Sequence, residues 1–355
     1  MTTLPSLTSI ETAPFLRACR RLPTERTPVW LMRQAGRYLS QYRAIRAQHS
    51  ILDIIATPEL AAEVTLQPID LFELDAAIIF ADILLPLTGM GLKLEFAPGD
   101  GPRILNPVRT SADADRLGTP PADEIMAPTI AAVRLVSEEL RTRGTPLIGF
   151  AGAPFTLACY SIEGGGSARF ETAKAFMYAE PAAWERLMRK LATVVADVLV
   201  AQAKAGANAL QLFDSWAGLL SPHDYDRYVR PFNTMVFQSA ARAGVPLINF
   251  STGTGAILEQ VAACGGDVIG IDWRTPLDTA WTRIPDRAIM GNLDPIALCA
   301  PWRELRPQVD DVLRRARGHR GHIFNLGHGV LPHTPPDNVR RVIEYVHEQT
   351  AVTNV

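Results

Sequence analysis

Residues 26–52 read RTPVWLMRQAGRYLSQYRAIRAQHSIL and carry Arg26, Arg33, Arg37, Arg43, Arg46 and His49 without one Asp or Glu. The whole chain has a formal net charge of -2, so this is a local excess of positive charge. Guanidinium is permanently charged and presents a planar fork that matches carboxylate and phosphate geometry. The stretch therefore has the chemistry of a site for an anionic ligand with many carboxylates, or of a solvated basic helix face. Arg33 and Arg37 are four apart. On a helical turn they would share one face and repel unless an anion lay between them.

Asp82 follows the apolar run AAIIF-Ala81 and precedes Ile83 and Leu84. A carboxylate in such surroundings is either a helix N-cap or a buried functional acid, since an unpaired buried anion is costly. Tyr160 and Ser161 lie in GFAGAPFTLACYSIEGGGS, whose glycines permit close backbone approach to a ligand or simply make a flexible loop. Phe213-Asp214-Ser215-Trp216 offers a hydroxyl donor without the GxSxG elbow of a serine hydrolase. His328 sits between glycines in FNLGHGVLP, as a site residue or a structural one. Neither HExxH nor a Cys/His ligand pattern occurs, so no metal is expected. The chain has only four lysines, Lys93, Lys174, Lys190 and Lys204, and none ends an expected strand. Schiff-base chemistry, with or without pyridoxal phosphate, is therefore not expected.

The elements that must hold these residues are eight short apolar runs: Val29–Met32, Ala76–Phe80, Pro146–Phe150, Ala209–Phe213, Pro246–Phe250, Asp267–Ile271, Ala288–Gly291 and His322–Leu326. Runs without strict alternation fit strands buried on both faces of a parallel sheet. Helical patterns separate most of them: 58–72, 123–143, 181–205, 222–243, 301–317 and 335–349. Several have Pro just inside the start, and Gly206, Gly244 and Gly318 follow three of them. Alternation of this kind predicts an α/β fold, a single (β/α)8 TIM barrel over residues 1–355 with a short N-terminal extension of about 13 residues. Polar residues follow nearly every run: Arg33, Asp82, Gly152, Asp214 with Ser215, Ser251, Asp272, Asn292 with Asp294, and His328. Barrel enzymes place their chemistry at these C-terminal strand ends.

Composition narrows the rest. Hydrophobic residues make up 47% of 355, ample for a core. A sequence pI near 6.4 speaks against nucleic acid as a partner. Cys19, Cys159, Cys264 and Cys299 are scattered, as reduced thiols are. No basic segment followed by an apolar one opens the chain, and no run is long enough to cross a bilayer, so a soluble cytoplasmic protein is expected.

In order, VWLMRQAGRYL, FADIL, GFAGAPFTLACYSIEGGGS, LFDSWAG, GNLDP and FNLGHG closely resemble the uroporphyrinogen decarboxylase family, over most of the chain from about Pro14. The resemblance implies a single (β/α)8 barrel, usually a homodimer, that uses neither metal nor organic cofactor. It implies removal of the four acetate carboxyls of uroporphyrinogen III, giving coproporphyrinogen III. Arg33, Gln34, Ala35, Gly36 and Arg37 would bind substrate carboxylates through guanidinium and backbone N–H groups, with Arg46 as a further partner. Asp82 would gather the pyrrole N–H groups and stabilise positive charge. Tyr160, Ser215 and His328 would make the remaining contacts, and Phe150 and Phe213 would wall the cleft. Asp82, Arg33 and Arg37 would be catalytic. Ser40 departs from the family pattern, which usually has Pro after RYL. The rival readings are a corrinoid- or thiol-dependent methyltransferase on a similar barrel, which would need a zinc-thiolate site where this chain has Asn249-Phe250-Ser251, and a non-catalytic tetrapyrrole-binding protein.

Overall fold

The computed structural model describes residues 10–97 and 101–352. Most of the expected N-terminal extension therefore lies outside the described residues. The chain is followed from a 3-10 turn at Ile10–Thr12 into a helix, Pro14–Cys19.

Among the described residues nine strands form in chain order: β1 (Ala77–Ile78), β2 (Leu94–Ala97), β3 (Gly101–Ile104), β4 (Leu147–Gly152), β5 (Ala209–Asp214), β6 (Leu247–Ser251), β7 (Val268–Gly270), β8 (Ala288–Met290) and β9 (His322–Ile323). Seven make one sheet in the order β1-β4-β5-β6-β7-β8-β9, with every pairing parallel. The first expected run, Val29–Met32, is not a full strand. It closes the cylinder through a few bonds: Trp30 N–H donates to Phe324 O (3.3 Å) and Phe324 N–H to Pro28 O (2.9 Å) on one side, and Asp75 N–H to Val29 O (2.8 Å) on the other. The barrel is thus complete but irregular at one seam. Side chains supplement the backbone there. Asp75 Oδ2 accepts from Val29 N–H at 2.7 Å, and His347 Nε2 lies 2.7 Å from the same oxygen.

The interior is filled by Trp30, Met32, Ile78, Ile148, Ile248, Phe250, Val268, Met290 and Ile323, all buried. These side chains come from nearly every staff of the barrel, as a packed rather than hollow core requires. Outside it the helices bury their own faces. The longest, Pro181–Lys204, buries Trp184, Leu187, Leu191, Val195, Val198 and Leu199.

Helix boundaries follow the sequence with physical exceptions. The pattern expected over 222–243 breaks into Pro222–Tyr228, Arg230–Ala240 and a 3-10 turn, because Pro231 supplies no N–H to the preceding turn. The pattern over 123–143 divides at Met126, ahead of Pro128. Gly144 and Gly244 end their helices at φ 67° and 71°, where a side chain would be strained. The antiparallel hairpin of β2 and β3 was not expected from the sequence. It packs beside the Gly-rich loop, with Ile104 N–H donating to Gly164 O at 2.9 Å.

Candidate active site

Arg33 leaves the closing segment in a left-handed conformation, φ 60°. For a residue with a Cβ this costs about 1–2 kcal/mol, and it turns the side chain into the mouth of the barrel. No helix spans Arg33–Arg37, contrary to the shared helical face that their spacing suggested. Residues 33–39 form irregular turns, and the next helix starts at Ser40. Ser40 is the first helical residue, a position where Pro is favoured but its N–H is not needed for the helix. Its presence removes no contact group.

The five arginines divide by their partners. Arg26 pairs with Asp75 (3.3 Å) and Glu73 (3.9 Å) at the seam. Arg43 donates to the carbonyls of Arg37 and Tyr38, both at 2.9 Å, and so holds the turn in shape. Arg46 donates to His49 O. The side chains of Arg33 and Arg37, both exposed, form neither a hydrogen bond nor an ion pair among the described residues. The backbone amides of Ala35, Gly36 and Arg37 are likewise without a protein partner among them. Three free N–H groups beside two free guanidiniums make a surface for oxyanions.

Gln34 faces the other way. It is buried, its Oε1 accepting from Leu31 N–H and its Nε2 donating to Ala76 O, both at 3.1 Å. Its side chain joins the closing segment to the approach to β1, and its backbone N–H is taken by Leu31 O. Tyr38 Oη adds a bond to Gln34 O at 2.8 Å.

Asp82 stands just past β1. Its Oδ1 accepts from Leu84 N–H at 2.8 Å, the local turn-forming role the sequence allowed. Its Oδ2 has no protein partner among the described residues, which leaves room for the functional role as well. Burial raises the Asp82 pKa, opposed by the Leu84 N–H and by Arg33. The same Arg33 charge acts on Tyr160 and His328. One unpaired guanidinium therefore stands amid Asp82, Tyr160 and His328.

Tyr160 is half-buried on the helix after β4, edge-on to Phe170 (5.7 Å) and Trp216 (6.2 Å). Burial raises its phenol pKa, and Asp82 adds to the rise. His328 Nδ1 accepts from Gly329 N–H at 2.8 Å, so the neutral ring carries its proton on Nε2. Burial and then Arg33 push its pKa down to about 4. At neutral pH it is an uncharged donor. The apolar wall is a herringbone across three strands: Phe150 and Phe213 at 5.5 Å, Phe213 and Phe250 at 5.6 Å. Ser215 is half-buried after β5, its carbonyl fixed by Thr252 Oγ1 at 2.6 Å. Arg37 and Arg46 flank Tyr42, whose pKa is raised by burial and lowered by both. Tyr42 packs on Phe80 at 5.5 Å, two residues before Asp82.

Two positioning residues had no such role assigned from the sequence, although Asp214 was named there as a strand-end residue. Buried Asn325 accepts from Met32 N–H (3.1 Å) and Leu326 N–H (2.7 Å), tying the segment before Arg33 to the loop that carries His328. Asp214 accepts from Thr156 Oγ1 and Asn233 Nδ2, both at 2.9 Å, and burial lifts its pKa to about 6. Asparagine inside FNLGHG was the only available signal for the first. Nothing in the spacing of Thr156, Asp214 and Asn233 announces the second. Among the described residues no group of three or more His, Cys, Asp or Glu side chains could hold a metal.

The model of the family described as "Uroporphyrinogen decarboxylase (URO-D)" matches residues 11–349. The chain belongs to the uroporphyrinogen decarboxylase family. A uroporphyrinogen decarboxylase of Roseiflexus sp. (strain RS-1) is 54% identical over 343 residues, covering 95% of this chain and 98% of that one. One from Sorangium cellulosum (strain So ce56) is 54% identical over 334 residues, 94% of this chain and 95% of that one. One from Chloroflexus aurantiacus (strain ATCC 29366 / DSM 635 / J-10-fl) is 53% identical over 337 residues, 94% of each chain. Among solved structures a methyltransferase from Methanosarcina mazei superposes with a TM-score of 0.79 over 96% of this chain and 98% of that one, at 18% identity. That likeness is one of fold. The uroporphyrinogen decarboxylase family match, not the barrel, separates this chain from the methyltransferase reading.

Proposed function

We propose that Asp82, Arg33 and Arg37 carry out the decarboxylation. As a uroporphyrinogen decarboxylase family member the chain removes the four acetate carboxyls of uroporphyrinogen III to give coproporphyrinogen III, without metal or organic cofactor. What carries the residue assignment is the Arg33 guanidinium, unpaired among the described residues, whose stem rests on Gly329 beside His328 and whose charge reaches Asp82, Tyr160 and His328.

The substrate brings eight carboxylates and four electron-rich pyrroles. Arg33, Arg37, Arg46 and the amides of Ala35, Gly36 and Arg37 take the acidic arms. Gln34 acts through the fold, since both ends of its side chain are bonded to backbone. Asp82 Oδ2 accepts the pyrrole N–H groups that converge at the centre of the macrocycle. Tyr160, Ser215 and the Nε2–H of His328 add donors, and Phe150 and Phe213 cover the ring faces.

Chemistry begins with protonation of a pyrrole ring carbon. The cationic ring accepts the electron pair of the breaking carbon–carboxylate bond, and carbon dioxide leaves. Protonation of the resulting exocyclic carbon and loss of the ring proton give a methyl group, with one proton consumed per carbon dioxide released. Asp82 faces the developing cation. Fixed opposite charge in a water-poor site is commonly the largest catalytic contribution. Arg33 or Arg37 manages the proton through water, because a guanidinium with a pKa above about 12 is a poor direct acid.

The chain as one barrel domain, working as a homodimer in the cytoplasm, completes the reading. Free Cys19, Cys159 and Cys264, all buried, fit a reducing compartment. The test is anaerobic turnover of uroporphyrinogen III by purified protein treated with chelator. Stepwise loss of four carboxyls is expected; unchanged substrate would refute activity, and binding without turnover would favour a tetrapyrrole carrier.

A further inference from the structure

A second cationic strip begins at Arg274. It follows β7 on the loop Asp272-Trp273-Arg274, on the same end of the barrel as Asp82 and His328. The strip is continuous. The Arg274 guanidinium lies over the Trp273 ring at 4.2 Å. Trp273 packs against the backbone of Gly327, where an added Cβ would come within 2.6 Å of Trp273 N. His328 follows, and then Gly329, on which the stem of Arg33 rests. The charge of Arg274 also acts on the His328 ring.

Arg274 is held in place from beneath. Its Nη1 donates to Asp272 Oδ2 at 2.6 Å, and its own backbone N–H donates to Asp272 Oδ1 at 3.0 Å. Asp272 is nearly fully buried and is fixed in turn by Gly253 N–H at 2.6 Å, while its carbonyl accepts from Asn292 Nδ2 at 2.9 Å. The buried acid therefore anchors one nitrogen of an exposed guanidinium. Nε and Nη2 make no hydrogen bond among the described residues, and the Arg274 side chain is 57% exposed. A guanidinium pinned at one corner, flattened on an indole and open along its other edge has lost much of its conformational freedom before a ligand arrives, so binding costs less.

Resting on the decarboxylase reading, we propose that Arg274 binds a carboxylate arm of the substrate at the far end of this strip from Arg33, with Asp272 and Trp273 as its positioning residues. The chemistry of the site calls for it. His328 is kept uncharged, so it supplies a donor there but no positive charge. A substrate with acidic arms around a ring needs cations at more than one point of the rim.

The test is steady-state turnover of uroporphyrinogen III by the full chain and by Arg274→Ala, Arg274→Gln and Arg274→Lys. Loss of one charge-assisted hydrogen bond is expected to raise KM about tenfold in Arg274→Ala, with kcat unchanged. Glutamine can still donate to Asp272 but carries no charge, so Arg274→Gln should be as impaired as Arg274→Ala. Lysine should recover most of the loss. A KM unchanged in Arg274→Ala, or restored by glutamine, would overturn the proposal, the second outcome meaning that Arg274 only holds Asp272. In either case turnover by the unaltered chain leaves the decarboxylase reading standing, whereas failure of the unaltered chain to turn over would defeat both.

Discussion

The stem of Arg33 lies directly on the Cα of Gly329. A methyl group added at Gly329 would come within 2.6 Å of Arg33 Cγ and closer still to Cδ. Glycine is needed here for space, since the backbone of Gly329 is not left-handed. The contact fixes where the guanidinium points and joins the first segment of the barrel to the last.

Gly329→Ala should therefore act as an Arg33 variant. The backbone φ of Arg33 is already unfavourable, so the side chain has few other places to go. We expect kcat/KM to fall by about tenfold to a hundredfold, with the thermal midpoint little changed. The decisive measurement is a double-mutant cycle. Gly329→Ala added to Arg33→Ala should cost almost nothing further; a full additive loss would mean that Gly329 matters for another reason.

The barrel was legible because its strands are short apolar runs and its helices begin with prolines. Pro222, Pro181 and Pro58 each sit at the first helical position, as read. The closing segment was read as an ordinary strand because Val29–Met32 has the composition of one. Its pairing is limited to a bridge, Val29 with Phe324, because the chain turns left-handed at Arg33. The hairpin of β2 and β3 escaped because Lys93, Glu95 and Arg103 interrupt its apolar pattern. Within the site, charge made Arg33 and Arg37 visible. Whether a given arginine is free or already bonded is a three-dimensional fact. Arg43 and Arg46 look alike in the sequence, and both are tied to carbonyls.

Gln34→Leu should destabilise the fold more than it harms chemistry. The change leaves Leu31 N–H and Ala76 O unpaired at the seam where backbone bonds are fewest. Each buried orphan costs about 1–3 kcal/mol. Urea titration should show stability lower by about 2–4 kcal/mol with an unchanged slope, while folded protein keeps most of its kcat. A direct carboxylate contact from the Gln34 side chain would give the reverse pattern.

Stability should fall on mild acidification. Burial lowers the pKa of His322 to about 4, and that of His328 likewise. An unfolded histidine titrates near 6.5. Between those values the unfolded chain binds more protons, so stability rises with pH. The contribution is complete above about 6.5 and is lost as pH falls toward 4. Asp214 works in the opposite sense, because its pKa is raised to about 6 and protonation on acidification relieves its buried charge. Asp82 is raised in the same sense, and the two histidines, displaced furthest from their ordinary value, still leave a net loss. His322, fully enclosed with Nε2 3.1 Å from Gly291 O, should account for about 2–3 kcal/mol by pH 4.5. Denaturant midpoints at pH 7, 5.5 and 4.5 should fall steadily in the unaltered protein and less steeply in His322→Gln. Parallel curves would refute the assignment.

Asp82→Asn separates charge from architecture. Asparagine keeps an oxygen for the Leu84 N–H, so the turn after β1 survives. What it removes is the anion whose ionised form burial already disfavours. Stability should therefore stay level or rise slightly, since a buried charge is costly to hold. The transition state, by contrast, loses the negative group facing the cationic ring. We expect kcat to drop by about a hundredfold to a thousandfold and KM to rise as well, because the amide nitrogen that replaces Oδ2 cannot accept the pyrrole N–H groups. A variant that folds normally and retains full turnover would remove Asp82 from the chemistry and leave it as a turn residue alone.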